Sequence, residues 1–235
     1  MKTTNRPLRK GFTLVELLVV IAIIVALAGL ATPAILKQIK EAHLVQATSN
    51  ARQVYTLLMQ FGQDWDTFPD DTTALRIADY ADPNGPTGFT GTNSNAQFRQ
   101  LIAGGYVKSE DIFYTKGPVT TKPDNSMTGA EGLKAGEVGF GYVLIDAKAQ
   151  SSSGNAGAPV LLTPLKATAT TTTADFDPEI FNQKAVVLRL DGSAMSERLT
   201  ADGKVFVGAK KDLLAKGPES VYGAKTPTIN LPLPK

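Results

Sequence analysis

Glu16 is the one charged residue between Phe12 and Ala31. A charged side chain inside a bilayer span costs about 2.5–3.5 kcal/mol on insertion scales, so a carboxylate placed there requires a positive partner. The nearest candidate is an amine, created by cutting the chain between Gly11 and Phe12. The chemistry this predicts is charge pairing after proteolysis. A second set of acids, Asp64, Asp66, Asp70 and Asp71, crowds one short stretch. Oxygen-rich turns hold calcium with about six to eight oxygens; the same residues also serve as a solvated turn with helix caps. No P-loop, Gly-x-Ser-x-Gly elbow or cysteine is present. The glycines from Gly129 to Gly141 do not have dinucleotide-fingerprint spacing. Asp175 and Asp177 are a pair of the kind any acidic loop supplies. His43, the single histidine, has no second nitrogen or sulfur ligand nearby and reads as a packed or half-exposed helix residue. No catalytic residue is nominated, no enzyme is expected, and calcium is the only cofactor that the sequence supports.

The elements that position Glu16 begin with a basic leader. Lys2, Arg6, Arg9 and Lys10 precede Gly11 without an acid among them. Positive flanks stay cytoplasmic, which predicts that the remainder faces outward. The apolar run that follows is about 20 residues, enough to cross a bilayer. Apolar residues then recur at Ile35, Ile39, Ala42, Val45, Ala51, Val54, Leu58 and Phe61, mostly at helical steps. One helix from about Phe12 to about Phe61 is expected, roughly 75 Å long. Its second half is amphipathic, and Gly62 is the expected stop. Gly29 and Pro33 are the expected helix break. Two plainer readings compete. Ala26-Leu27-Ala28 before Gly29 is an ordinary signal-peptidase site, which would release a soluble module. An unprocessed anchor explains the span and its charges but not Glu16.

The run Arg-Lys-Gly-Phe-Thr-Leu-Val-Glu-Leu-Leu-Val-Val-Ile-Ala-Ile-Ile, within Arg9–Pro33, resembles the class III leader of type IV pilins and type II secretion pseudopilins. The resemblance implies cleavage after Gly11 by a prepilin peptidase that also methylates Phe12. It gives Glu16 the task of pairing with the Phe12 amine of a neighbouring subunit. It implies that Leu14, Leu17, Leu18, Ile21, Ile24 and Leu27 pack a filament core, and that the segment at Gly29 and Pro33 can melt on assembly. The implied protein is a structural subunit of a pilus or pseudopilus. It is single-pass in the inner membrane before assembly, with a cytoplasmic N-terminus and its C-terminal domain outside. Its partners would be the peptidase, membrane lipid, an inner-membrane assembly platform and other pilins. A minor pilin that binds a cargo for adhesion or DNA uptake shares the same leader.

This divides the chain into a leader (1–11), a transmembrane and filament-core helix (12–33), an amphipathic stem (34–61) and an α+β domain (62–235). Without the leader, 20 basic residues face 22 acidic ones, a net charge of −2, so no general nucleic-acid binding is expected. The lysines at 204, 210 and 211 read as a solvated face. No disulfide can form without cysteine, whereas many type IV pilins close their C-terminal region with one. Short helices are expected at Thr72–Tyr80 and Asn95–Ala103. Strands are expected at Val138–Ile145, Pro159–Leu162, Ala185–Leu190, Ser193–Arg198 and Lys204–Val207, with Asp191-Gly192 turning a hairpin. The expected product is a small antiparallel sheet on which the stem packs. Gln63 to Asp71 and the Leu101 to Val107 stretch resemble the corresponding parts of major pseudopilins, a group that binds calcium in a C-terminal loop. Phe181 stands where one pilin-like subgroup has a histidine before its Asp-Gly turn. Gln150–Ala158 and Ala167–Ala174 read as mobile loops, the second a possible glycan carrier, and Lys225–Lys235 as an extended surface tail.

Overall fold

A computed structural model describes residues 12–129, 132–207 and 211–235. Its elements in chain order are α1 (Leu14–Trp65), α2 (Asp71–Ala78), α3 (Ser94–Ala103), a 3-10 turn (Glu110–Phe113), and seven strands. These are β1 (Gly141–Ile145), β2 (Pro159–Thr163), β3 (Lys184–Arg189), β4 (Ala194–Arg198), β5 (Phe206–Val207), β6 (Lys211–Asp212) and β7 (Pro227–Asn230). The fold is α+β, a long apolar helix with an antiparallel five-stranded sheet of order β4-β3-β2-β1-β7. The chain forms two compact units, one ending at Ile39 and the other running from Lys40 to Lys235.

In the second unit, Leu44, Ala47, Asn50, Ala51, Val54, Leu58 and Phe61 form the buried stripe of α1. The steps of three and four put them on one helix face. The stripe joins a core with Tyr142, Leu144, Val160, Val186 and Leu188. Period-two alternation sends Val143, Leu162, Ala185 and Val187 to the opposite face of the sheet. There they meet a second core of Leu165, Phe176, Leu199, Val205, Leu213, Leu214 and Tyr222. The sheet is thus covered on both sides, which accounts for β3 being apolar along almost its whole length.

Several expectations are corrected. Helix α1 does not end at Gly62 but continues to Trp65. The ring of Phe68 lies 3.2 Å from where a Cβ at Gly62 would sit, so the glycine serves close packing inside the helix. The stop comes at Asp66, whose φ of 69° is left-handed. Ala42 and Val45 are exposed, and Leu44 and Ala47 take the buried positions instead. Phe206–Val207 pairs with β6 as a separate two-stranded ribbon and does not join the main sheet. The tail is not a surface strap, because Pro227–Asn230 is an edge strand paired with β1, with Ile229 and Asn230 buried. The two low-complexity loops are mostly exposed, with buried residues at their ends. Gln150 and Ala158 are buried, and Gln150 Nε2 donates to the carbonyls of Val143 and Pro159. In the threonine tract Ala174 is buried, and the Thr171 carbonyl accepts from Ile229 N.

The Asp191-Gly192 hairpin joins β3 to β4, with Leu188 opposite Ala194. Gly192 has φ 81°, and a Cβ there would lie 2.8 Å from the ring of Tyr55 on α1. The Tyr55 hydroxyl donates to the Leu190 carbonyl at 2.7 Å. The turn is therefore clamped to the stem helix. Gly192→Ala must combine left-handed strain with displacement of Tyr55, costing about 1–3 kcal/mol. The expected outcome is a drop of roughly 3–10 °C in the thermal unfolding midpoint followed by circular dichroism; an unchanged midpoint would refute the clamp.

Candidate functional site

The N-terminal segment is built by helix α1 itself. Thr13 precedes its first residue, and Glu16 lies in its first turn. Glu16 Oε2 accepts from Thr13 N at 2.8 Å and from Thr13 Oγ1 at 2.7 Å, and Glu16 N donates to Thr13 Oγ1 at 3.2 Å. This is a reciprocal capping box, in which threonine and glutamate three residues apart satisfy each other's backbone donors. The sequence reading gave Glu16 an intermolecular role and missed this local one, although Thr-x-x-Glu ahead of an apolar run is its signal.

Leu14, Leu17, Leu18, Ile21, Ile24 and Leu27 are all more than half exposed, as is Phe12. Gly11 lies outside the described residues. Helix α1 is long and apolar enough to cross a membrane in this first half. It runs on through Gly29 and Pro33 rather than breaking there. Proline at position 33 removes the bond to the carbonyl four residues back, at Gly29, and a Cβ placed on Gly29 would meet nothing within 4 Å among the described residues. One residue earlier, Thr32 Oγ1 donates to the Ala28 carbonyl at 2.7 Å.

The four aspartates at and beyond the end of α1 have separate duties. Asp70 is the N-cap of α2, with Oδ1 accepting from Thr72 N and Thr73 N and with the Thr73 side chain returning the bond. Its other oxygen accepts from Ala149 N at 3.2 Å. Burial pushes the Asp70 carboxyl up, but the bonds from Thr72, Ala149 and Thr73 outweigh it and hold the group below its usual range. Asp64 accepts from the Tyr106 hydroxyl at 2.6 Å, and that phenol is pushed up to about 12, first by burial and then by this bond. Asp71 accepts from Gly91 N, and Asp66 ends α1. Among the described residues, no three of these four carboxylates bring their oxygens within 4.8 Å of one another. Among the described residues, the carboxylates whose oxygens come together are Glu110, Asp124 and Glu137. Sequence reasoning missed that trio because no local spacing links its members.

Two other candidates resolve plainly. His43 is half-buried on α1. Phe181 is fully buried in the core. Of the lysines at 204, 210 and 211, Lys204 pairs with Asp212 at 3.4 Å, while Lys210 lies outside the described residues.

The prokaryotic N-terminal methylation motif matches residues 6–32. The chain carries the type IV pilin and pseudopilin signature. That signature implies processing by a prepilin peptidase and assembly with other pilins, and it points to a structural protein rather than an enzyme. It also implies a chain anchored in a membrane and later assembled. No curated protein and no solved structure matches the chain.

Removing the Asp70 carboxylate tests its assignment as a cap. Asp70→Ala is expected to lower stability by about 1–2 kcal/mol in chemical denaturation, equally with calcium and with chelator. A loss seen only with calcium would return Asp70 to metal binding.

Proposed function

We propose that this chain is a filament subunit, cut after Gly11, methylated at Phe12 and polymerised through the first half of α1. The observation that carries the reading is an exposed apolar helix face holding a single carboxylate inside a matched methylation motif. Leucines at 14, 17, 18 and 27 and isoleucines at 21 and 24 exchange lipid for the same face of other copies. Packing of this kind is driven by van der Waals fit rather than by escape from water. It does not fix how far one subunit is displaced along its neighbour. A charge pair does, because a buried acid tolerates burial only beside a positive partner.

In a single chain, Glu16 is satisfied by Thr13. Cleavage then creates a positive amine at Phe12, one residue from Thr13. The carboxylate can exchange its capping bonds for the amine of an adjoining subunit, and axial register follows from where that exchange is possible. Gly29 and Pro33, with one helical bond already missing, are where α1 yields most cheaply when subunits crowd.

Two measurements test this. Intact mass and terminal sequencing of the native protein should begin at methylated Phe12; a start at Gly29 would mean an ordinary secreted module. Glu16→Ala should leave insertion and cleavage intact and lower filament yield at least tenfold, whereas Thr13→Ala should keep filaments. Equal loss from both variants would make helix capping, not charge pairing, the requirement.

A further inference from the structure

Glu110 opens the 3-10 turn after α3, and its side chain is completely buried. Asp124 and Glu137 come from the loop that leads to β1. One carboxylate oxygen from each of the three lies within 4.8 Å of the others. Most of their oxygens have protein donors. Glu110 Oε1 accepts from Leu133 N at 2.6 Å. The two oxygens of Glu137 accept from Asp124 N at 3.2 Å and Lys134 N at 2.6 Å. Asp124 accepts from Ser126 N and from Lys134 Nζ. Glu110 Oε2 has no hydrogen-bond partner among the described residues, although it is sealed from solvent. A buried acceptor without a donor costs about 1–3 kcal/mol, and more when charged.

Lys134 pairs with Asp124 at 2.6 Å. Arg99 acts on Glu110 and Glu137 at longer range, but its guanidinium hydrogens go to the carbonyls of Gly132, Gly88 and Leu133. Among the described residues, neither side chain donates to the orphan oxygen. Burial raises the Glu110 carboxyl, and the neighbouring Glu137 and Asp124 raise it further against the bonds from Leu133 and Asn125. All donors are hard oxygens, with no imidazole or thiolate, which suits calcium over zinc. Asp124 is exposed and leaves an entry path from solvent.

We propose that Glu110, Asp124 and Glu137 bind one calcium-class divalent cation, which fastens the 3-10 turn to the loop before β1. Water completes the coordination on the Asp124 side. The ion joins segments that already hang on α3, since Asn95 Nδ2 donates to the carbonyls of Leu133 and Lys134. The inference is independent of the filament reading.

The test uses the full chain in detergent micelles, stripped with chelator and titrated with calcium chloride. Calorimetry should give one site with a dissociation constant of about 0.1–1 mM, the range of extracellular modules. At 10 mM calcium the unfolding midpoint should rise by about 3–10 °C. Asp124→Asn, a change on an exposed side chain that leaves the fold intact, should weaken binding at least tenfold. Glu110→Gln should abolish it while unfolding in chelator no earlier than the unaltered chain. Asp71→Asn should respond as the unaltered chain does. Absence of heat and midpoint shift in the unaltered chain overturns the proposal. So does an undiminished response in Glu110→Gln, or loss of the response in Asp71→Asn.

Discussion

Helix α1 carries two surfaces that no single environment can satisfy. From Leu44 to Phe61 its apolar residues are spaced to one side and give that side to the sheet. From Leu14 to Ile39 its large apolar side chains are exposed. A helix apolar all round is stable in lipid or among other apolar helices. The second half has the opposite requirement, because its buried stripe is the floor of the principal core. Polar groups then fix its register. Asn50 donates to the carbonyls of Asp111 and Tyr114, Tyr55 holds the β3–β4 turn, and Glu41 receives Lys184 through both oxygens at 2.9 and 2.8 Å. The rest of the α+β unit is arranged around that fixed rod.

Glu16 shows how one residue can answer to two constraints. In the lone chain the carboxylate closes a capping box and makes the start of α1 self-sufficient. The bonds are short and local, so they stabilise the carboxylate before any partner arrives. They do not supply positive charge. A negative group stripped of water by surrounding leucines and isoleucines keeps a large desolvation cost however well it is hydrogen-bonded. Capping explains why the residue is tolerated at the helix start; in the proposed filament, burial of the same carboxylate would call for a cation beside it.

The sequence was most legible where periodicity was long or turn chemistry specific. The span, the buried helix positions from Ala51 onward, the short helices and the β3–β4 hairpin are all readable in local pattern. The helix end was misplaced because Gly62 has the chemistry of a cap, while the demand it answers, room for the Phe68 ring, is tertiary. Strand β7 was hidden by its composition. Pro227 opens it and prolines follow it, a pattern that suits an edge strand and an extended tail equally. The second core was hidden because Leu165, Phe176, Leu213 and Tyr222 are isolated apolar residues in turn-rich segments with no shared period. The carboxylate trio was hidden for the same reason, as its members meet only once the 3-10 turn and the loop before β1 have folded together.

The chain has no cysteine, yet its C-terminal region is closed firmly, and the means are visible. β7 contributes a full antiparallel ladder to β1, from Tyr142 opposite Asn230 to Ile145 opposite Pro227. Beyond it the backbone alternates between donors and acceptors from distant segments. Leu231 accepts from Ser94 N, Leu233 N donates to Asn95 Oδ1, the Leu233 carbonyl accepts from Gly136 N, and Lys235 N donates to Val119. Asn95 is decisive here, because its amide also holds the Leu133 and Lys134 carbonyls. One buried side chain at the start of α3 therefore ties the chain's last strand region to the loop that bears Glu137. A disulfide would constrain a single pair of positions. This arrangement spreads the constraint over several bonds that form only when α3, the loop and β7 are all in place, so the C-terminal closure is cooperative with the core rather than added to it.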